Sequence, residues 1–386
     1  MTVFDILSFG HGLFFVTLHI LLMSGLFREW LRDKNALSAK KTGKNGITAS
    51  LIIPVRNESL RINCLLQSLS AQDYPVEIIF VDDCSDDESP IILAGYAREA
   101  AERGLNCRIV TLTENPGPNH KQYALSAGIA EAQGDILIFT DSDCELPAGW
   151  IRAMASRMSD ETVGAVIGPV FKKKQGKGFL SLYQCYDHAV RYIYLAGSAG
   201  LGAAGGGFGN NLIVRKAALD TIGGYDAVPP SPTEDAALIS RIRSRSKYHI
   251  RAIVLPDAAV ETAAENTWSD FIEQTLRWNN GGLFSHEPIT RLNYNFLMLM
   301  TSAGILALPL VPFLPGLWPM PAGVFTVMVI NTIASFILFR QNLPSGGFLN
   351  LGYLLSLLFT PLYFTLMTVM SYCRVKTKWK GKAVIQ

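Results

Sequence analysis

Blocks free of charge constrain this chain more than any other feature. From Ile6 to Phe27 the only ionisable side chains are His11 and His19, from Leu292 to Phe339 nothing is charged, and a third uncharged stretch runs from Gln341 to Cys373. A backbone in hydrocarbon must satisfy its own hydrogen bonds, and about 20 apolar residues of helix cross a bilayer. The sequence therefore predicts transmembrane helices at both ends, with Pro312, Pro315, Pro319 and Pro321 dividing the second block into a membrane hairpin. His11 and His19 read as packed or interfacial helix-face residues rather than as a metal site. A cleaved leader is disfavoured, because Asp5 stands where a basic cluster would be and no small-residue cleavage site follows.

Basic residues concentrate on the cytosolic side of membrane proteins. Arg28, Arg32, Lys34, Lys40, Lys41 and Lys44 follow the first block. The expected organisation is a transmembrane helix over 1–28, a basic cytosolic linker over 29–47, a cytosolic domain over 48–290, transmembrane helices over 291–373 and a basic tail over 374–386. Three spans after a cytosolic domain put the tail outside, whereas Arg374, Lys376, Lys378, Lys380 and Lys382 argue that it is inside. Either the last stretch turns back at Pro361 as a re-entrant or interfacial element, or the tail breaks the rule. A chain of 386 residues that is 49% hydrophobic and 17% charged suits one polar domain plus a few spans. With a net charge of +2 and no basic run interleaved with aromatics, no nucleic-acid partner is expected. The six cysteines are scattered, form no CxxC pair or Cys/His cluster, and read as reduced thiols.

Inside the polar region, β-branched runs alternate with helical patterns. Ser50 to Val55, Ile78 to Val81, Arg108 to Leu112 and Ile136 to Phe139 read as buried strands, and Ser59 to Ala71, Pro90 to Arg103, Lys121 to Ala132 and Pro147 to Met158 as helices. The unit is thus α/β with a mostly parallel central sheet, whose ligands are expected beyond the strand carboxyl ends. Two of those ends carry carboxylates: Asp82, Asp83, Asp86 and Asp87 after the second strand, Asp141 and Asp143 after the fourth. A turn bringing Asp141 and Asp143 together offers hard oxygen ligands of the kind Mg²⁺ or Mn²⁺ takes beside substrate phosphates. The same residue types also suit Asx turns and helix caps.

This run of motifs resembles the family 2 glycosyltransferases of GT-A fold over nearly all the polar region. The matching pieces are "SLIIPVRNES", "EIIFVDDCSDD", "HKQYALSAGIAEAQGDILIFTDSDC", "GFGNNLIVRKAALDTIGGYD", "TED" and "QTLRW", in the family's order. The resemblance implies an inverting hexosyltransferase that takes a sugar from a nucleotide diphosphate, with UDP-glucose the expected donor, and uses Mg²⁺ or Mn²⁺. It implies that Asp83, with Asp82 beside it, holds the nucleoside in a pocket lined by Pro54, Arg56 and Glu58. Lys121 then lies beside the donor, Asp143 binds the metal, and Asp141 supports it or touches the ribose. Asp235 becomes the general base, taking the acceptor proton as the hydroxyl attacks from the face opposite the nucleotide. As N-terminal helix charges, Glu234 and Asp235 would otherwise simply complement the dipole. Gln274, Arg277 and Trp278 share one helix face over Trp268 to Trp278, where Arg277 can grip the departing diphosphate and Trp278 can stack on a sugar or brace an acceptor. An amphipathic interfacial helix is the other reading of that face.

Gly200 to Gly205 matches the dinucleotide fingerprint G-x-G-x-x-G, but Gly206, Gly207 and Gly209 follow and oppose the helix that a true fingerprint opens, so a loop is expected. The expected acceptor is a membrane lipid, since about four spans are few for a polymer-translocating pore. Lys172, Lys173, Lys174 and Lys177 would suit a phosphorylated lipid, or simply a solvated loop. The alternatives are a processive polysaccharide synthase and a non-catalytic nucleotide-sugar-binding subunit. A transporter is disfavoured, because it would predict ionisable residues within the spans and Leu292 to Phe339 has none. The expected location is the inner membrane, multi-pass, with the catalytic domain cytosolic.

Overall fold

The computed structural model describes residues 3–39, 47–173, 178–343, 351–376, 378–379 and 382–383. Helix α1 (Val3–Ala39) does not stop where its apolar block ends but continues through residues expected to form a linker. The cause is tertiary. Glu29 Oε2 accepts the Ala252 N–H at 3.0 Å, and Asp33 Oδ2 accepts those of Val254 and Leu255 at 2.9 and 2.8 Å. Asp33 Oδ1 meets Arg157 Nε at 2.6 Å, and both carboxylates are buried. Lys40, Lys41 and Lys44 lie outside the described residues.

The polar region alternates strands and helices: β1 (Ala49–Val55), α2 (Ile62–Ser70), β2 (Glu77–Asp83), α3 (Ser89–Glu102), β3 (Cys107–Leu112), α4 (His120–Glu131) and β4 (Ile136–Phe139). Then follow β5 (Cys144–Glu145), α5 (Trp150–Ser156), β6 (Val163–Ile167), β7 (Val170–Lys172), α6 (Phe179–Gly200), β8 (Leu212–Arg215), α7 (Lys216–Thr221), α8 (Glu234–Arg245), β9 (His249–Ala252), β10 (Val260–Thr262) and α9 (Trp268–Leu283). A seven-stranded sheet has the order β3-β2-β1-β4-β8-β6-β9. β1 runs parallel to β2 and β4, and β8 alone is antiparallel to its neighbours. A small sheet, β5-β10-β7, lies beside it.

Side chains alternate across the main sheet as the pleat requires. Leu51, Ile53, Ile78 and Phe80 enter one core, while Ile52, Ile79 and Val81 enter the other. Burial on both faces explains the unbroken apolar runs of these strands. The Gly200–Gly205 segment ends α6 and continues as a loop, so it opens no helix.

After the domain come α10 (Pro288–Ala307), α11 (Pro319–Phe339) and α12 (Leu351–Tyr372). With α1 these make four helices long and apolar enough to cross a membrane. α1, α10 and α11 stand side by side: His11 Nε2 lies 3.0 Å from Met300 O, and Asn331 Nδ2 3.0 Å from His19 Nε2. At Gly12 a Cβ would fall 2.3 Å from Pro319 O, so only glycine lets α1 and α11 approach this closely. α12 is continuous through Pro361 and does not turn back there. It runs alongside α9 instead. Tyr363 stacks on Phe271 with centroids 5.6 Å apart, and Asn279 Nδ2 donates to Ser371 Oγ at 3.0 Å.

Candidate active site

The carboxyl ends of β1, β2 and β4, the amino ends of α4 and α8, and one face of α9 enclose a polar cavity of about 370 Å³. All the site residues singled out from the sequence line it except Asp82. That exception follows from the pleat. β2 extends to Asp83, so the two neighbouring carboxylates point to opposite faces. Asp83 faces Arg56, whose Nη1 donates to its carbonyl at 3.0 Å and its Oδ2 at 3.2 Å. Asp82 Oδ1 instead accepts the Ser85 N–H at 3.2 Å and closes the turn, so it does not line the cavity beside Asp83 as expected.

That turn is built jointly with the one after β1. Asn57 and Cys84 both have positive φ, 53° and 54°, and Asn57 Oδ1 accepts the Asp86 N–H at 2.9 Å. Non-glycine residues in this conformation are held by their surroundings, as is common where a loop must meet a ligand. Glu58 is buried against Arg61, which also reaches Asp143 at 4.0 Å.

At the start of α4, Asn119 caps the helix by accepting the Gln122 N–H at 3.1 Å, which sets Lys121 in the first turn. Lys121 Nζ lies 2.7 Å from Asp141 Oδ1 and 3.2 Å from Glu234 Oε1. Burial alone would lower its pKa, but the two carboxylates outweigh that and hold it above the lysine range. After β4 the Cys144 N–H donates to the Asp141 carbonyl at 3.2 Å, a tight turn that brings Asp141 and Asp143 to the same wall. Among the described residues no group of three or more His, Cys, Asp or Glu is placed to hold a metal. A pair of partly exposed carboxylates does fit an ion that takes its remaining ligands from phosphates and water.

Asp235 closes the far side. Its Oδ2 accepts the Gly209 N–H at 2.6 Å and its Oδ1 the Ala236 N–H at 2.7 Å. Burial, then the neighbouring Glu234, raises its pKa to about 6, against the opposing pull of Lys121 and the two N–H groups. Arg277 Nη1 donates to Pro232 O at 2.9 Å, so α9 supports the turn that presents Asp235. The approach is close: a Cβ on Gly281 would fall 2.0 Å from Thr233 Oγ1. Gln274 Nε2 donates to Glu265 Oε1 at 2.7 Å.

Among the lining residues that carried no sequence signal for this site is His188. His188 lies mid-way along α6, stacked on Phe208 with centroids 5.2 Å apart and edge-on to Trp278. Its Nε2 is buried with no partner among the described residues, and burial pushes its pKa well down, so it is a neutral imidazole. Lys172, expected in a solvated loop if not a phosphate site, is buried in the wall and donates to Ala263 O at 2.9 Å. Burial lowers its pKa. Lys173 pairs with Glu145, and Lys174 and Lys177 lie outside the described residues.

A second cavity, of about 170 Å³, lies where the domain meets α1, α10 and α11. Phe15, Leu297, Met298 and Met328 make it apolar, and it shares Phe208, Thr233, Asp235 and Trp278 with the first. Asp235 and Trp278 therefore stand between a polar chamber and an apolar one.

Residues 50–223 match the family model described as "Glycosyl transferase family 2". A probable glycosyltransferase of Bacillus subtilis is 26% identical over 71% of the chain and 67% of its own length. A beta-monoglucosyldiacylglycerol synthase of Trichormus variabilis is 26% identical over 76% of the chain and 65% of its own length. The chain thus spans about two thirds of the length of these curated relatives. A mannosyltransferase of Pyrobaculum calidifontis, solved with GDP-Man and Mn²⁺, superposes with a TM-score of 0.55 at 18% identity, covering 93% of this chain and 99% of its own. The ordered motifs, the mixed sheet with acidic strand ends and the family match converge: residues 50–223 form a glycosyl transferase family 2 domain, in a chain of GT-A fold.

Proposed function

We propose that the protein is an inverting glycosyltransferase that moves a hexose, glucose from UDP-glucose being the first candidate, to a hydroxyl of a membrane lipid. The meeting of a polar and an apolar cavity at Asp235 carries this reading, because one chamber suits a nucleotide diphosphate and the other a lipid tail. The glucolipid synthase among the relatives supports the same acceptor class.

In this reading Asp83, Arg56 and Pro54 hold the nucleoside, and Arg277 and Lys121 face the diphosphate with fixed positive charge. Asp143, with Asp141, would hold Mg²⁺ or Mn²⁺, which would neutralise the leaving group. Asp235 takes the acceptor proton. A base must be unprotonated to act, and this carboxyl titrates near 6. The ratio kcat/KM, which reports the free enzyme, is therefore expected to fall about tenfold per pH unit below that value and to level off above it. A profile flat down to the ordinary carboxylate range would remove Asp235 from the role.

Detergent-purified protein, incubated with Mg²⁺ or Mn²⁺, radiolabelled nucleotide sugars and total membrane lipid, tests the function. Label in the organic phase is the expected result. A large water-soluble labelled polymer would make the protein a polysaccharide synthase. Nucleotide binding without transfer would make it a non-catalytic subunit.

The membrane arrangement that fits best has α1, α10 and α11 crossing and α12 lying along the interface. Tyr353 packs on Tyr186 of α6, and Phe284 just after α9 packs on Tyr372, so both ends of α12 stay beside the domain. Arg374 and Lys376 then remain cytosolic, in accord with their charge. A C-terminal reporter that works only in the cytosol is expected to be active, and a silent one would make α12 a fourth span.

A further inference from the structure

Among the polar residues in the wall of the apolar cavity is a buried pair to which the proposed reaction assigns no part. His19 of α1 and Asn331 of α11 both line it, are 5% and 4% exposed, and are joined at 3.0 Å through Nε2 and Nδ2. Asn331 Oδ1 is buried with no hydrogen-bond partner among the described residues. Phe15, Met298 and Met328 line the same cavity, as does Thr301, whose hydroxyl donates to Leu297 O at 3.0 Å. Polar side chains within membrane-crossing helices are costly unless paired and usually mark a binding function. Both residues belong to helices apolar enough to cross a membrane.

Arg191 is the other potentially cationic side chain in this wall among the described residues. It is already committed. Its Nε lies 2.6 Å from Asp187 Oδ2, and its guanidinium sits 5.5 Å from the Trp278 ring and 4.9 Å from that of Phe364. The chamber therefore offers a hydrogen-bond acceptor but no uncommitted positive charge to meet a phosphate.

We infer that His19 and Asn331 form a second recognition point for the acceptor, selecting an uncharged lipid that carries a hydrogen-bond donor, an amide N–H or a further hydroxyl, away from the hydroxyl that receives the sugar. The donor meets Asn331 Oδ1, while His19 holds the amide in that orientation. This inference rests on the reading of the apolar cavity as the acceptor chamber.

Three probes separate the outcomes in the full-length protein: a ceramide, with an amide N–H and a second hydroxyl; 1,2-dioleoylglycerol, whose ester groups only accept; and a C18 alkanol with a single hydroxyl. The wild type is expected to prefer ceramide over the other two by about tenfold in kcat/KM, the worth of one buried hydrogen bond. In Asn331→Leu that preference disappears, chiefly through a higher KM for ceramide, and Asn331→Gln recovers part of it. An unchanged preference in Asn331→Leu, or equal losses on all three lipids, would overturn the inference. Equal use of the three lipids by the wild type overturns it without any variant. If the wild type labels no lipid but hydrolyses the donor, the acceptor reading itself fails, and this inference with it.

Discussion

Replacing Asp235 by Asn is expected to lower sugar transfer by about 10²–10⁴-fold while leaving metal-dependent nucleotide binding nearly intact. The two side chains have the same shape, and Asn keeps an acceptor oxygen for one of the two N–H groups, of Gly209 and Ala236, that the carboxylate now satisfies. Folding should lose only about 1 kcal/mol, so thermal unfolding separates a chemical defect from a structural one. Asp143→Ala is expected to differ in kind, weakening nucleotide binding and transfer together, because in the proposed reaction that carboxylate would hold the metal on the diphosphate. Transfer by the Asp235→Asn variant at an undiminished rate would remove the base from the mechanism.

Asp33→Ala is expected to cost about 3–5 kcal/mol in stability with no direct effect on chemistry. The substitution removes a buried partner of Arg157 and the acceptor for the N–H groups of Val254 and Leu255. Asp257, which meets Arg157 Nη2 at 3.0 Å from a more exposed position, replaces only part of the loss. Thermal unfolding in detergent reads the change. Replacing Asp33 and Arg157 together by Leu and Met should recover only the part due to the unpaired arginine, because the Val254 and Leu255 N–H groups still lack this acceptor and Asp257 loses its partner. A single variant as stable as the wild type would show that α1 is merely tethered to the domain.

The central strands were legible because burial on both faces writes an unbroken apolar run, and Ile136–Phe139 was bounded correctly. Most of the cavity wall was legible for a different reason: ordered motifs name positions that no local pattern would. Asp82 shows where such naming gives out, since which of two adjacent carboxylates faces the ligand depends on where the strand stops twisting into its turn. α6 escaped notice because it is buried on nearly every side and shows no clean polar face, and His188 lies within it. Glu29 and Asp33 look like linker charges because the backbone N–H groups they accept stand more than 200 residues away. The pairing of His19 with Asn331, 312 residues apart, is likewise written only in three dimensions.

The unbroken run of α1 from its apolar block to the edge of β9 has one more consequence. A domain hung on a loose tether could settle at whatever height the headgroups dictate. Here Glu29 and Asp33 clamp the helix to the sheet, so the reach from bilayer midplane to Asp235 is set by rigid structure. If α1 crosses the bilayer and the acceptor is a membrane lipid, as proposed, the acceptor hydroxyl must arrive at a fixed depth, and hydrophobic mismatch between α1 and the surrounding lipid becomes a variable of turnover itself, with bilayers of different thickness presenting the same substrate at productive or unproductive heights.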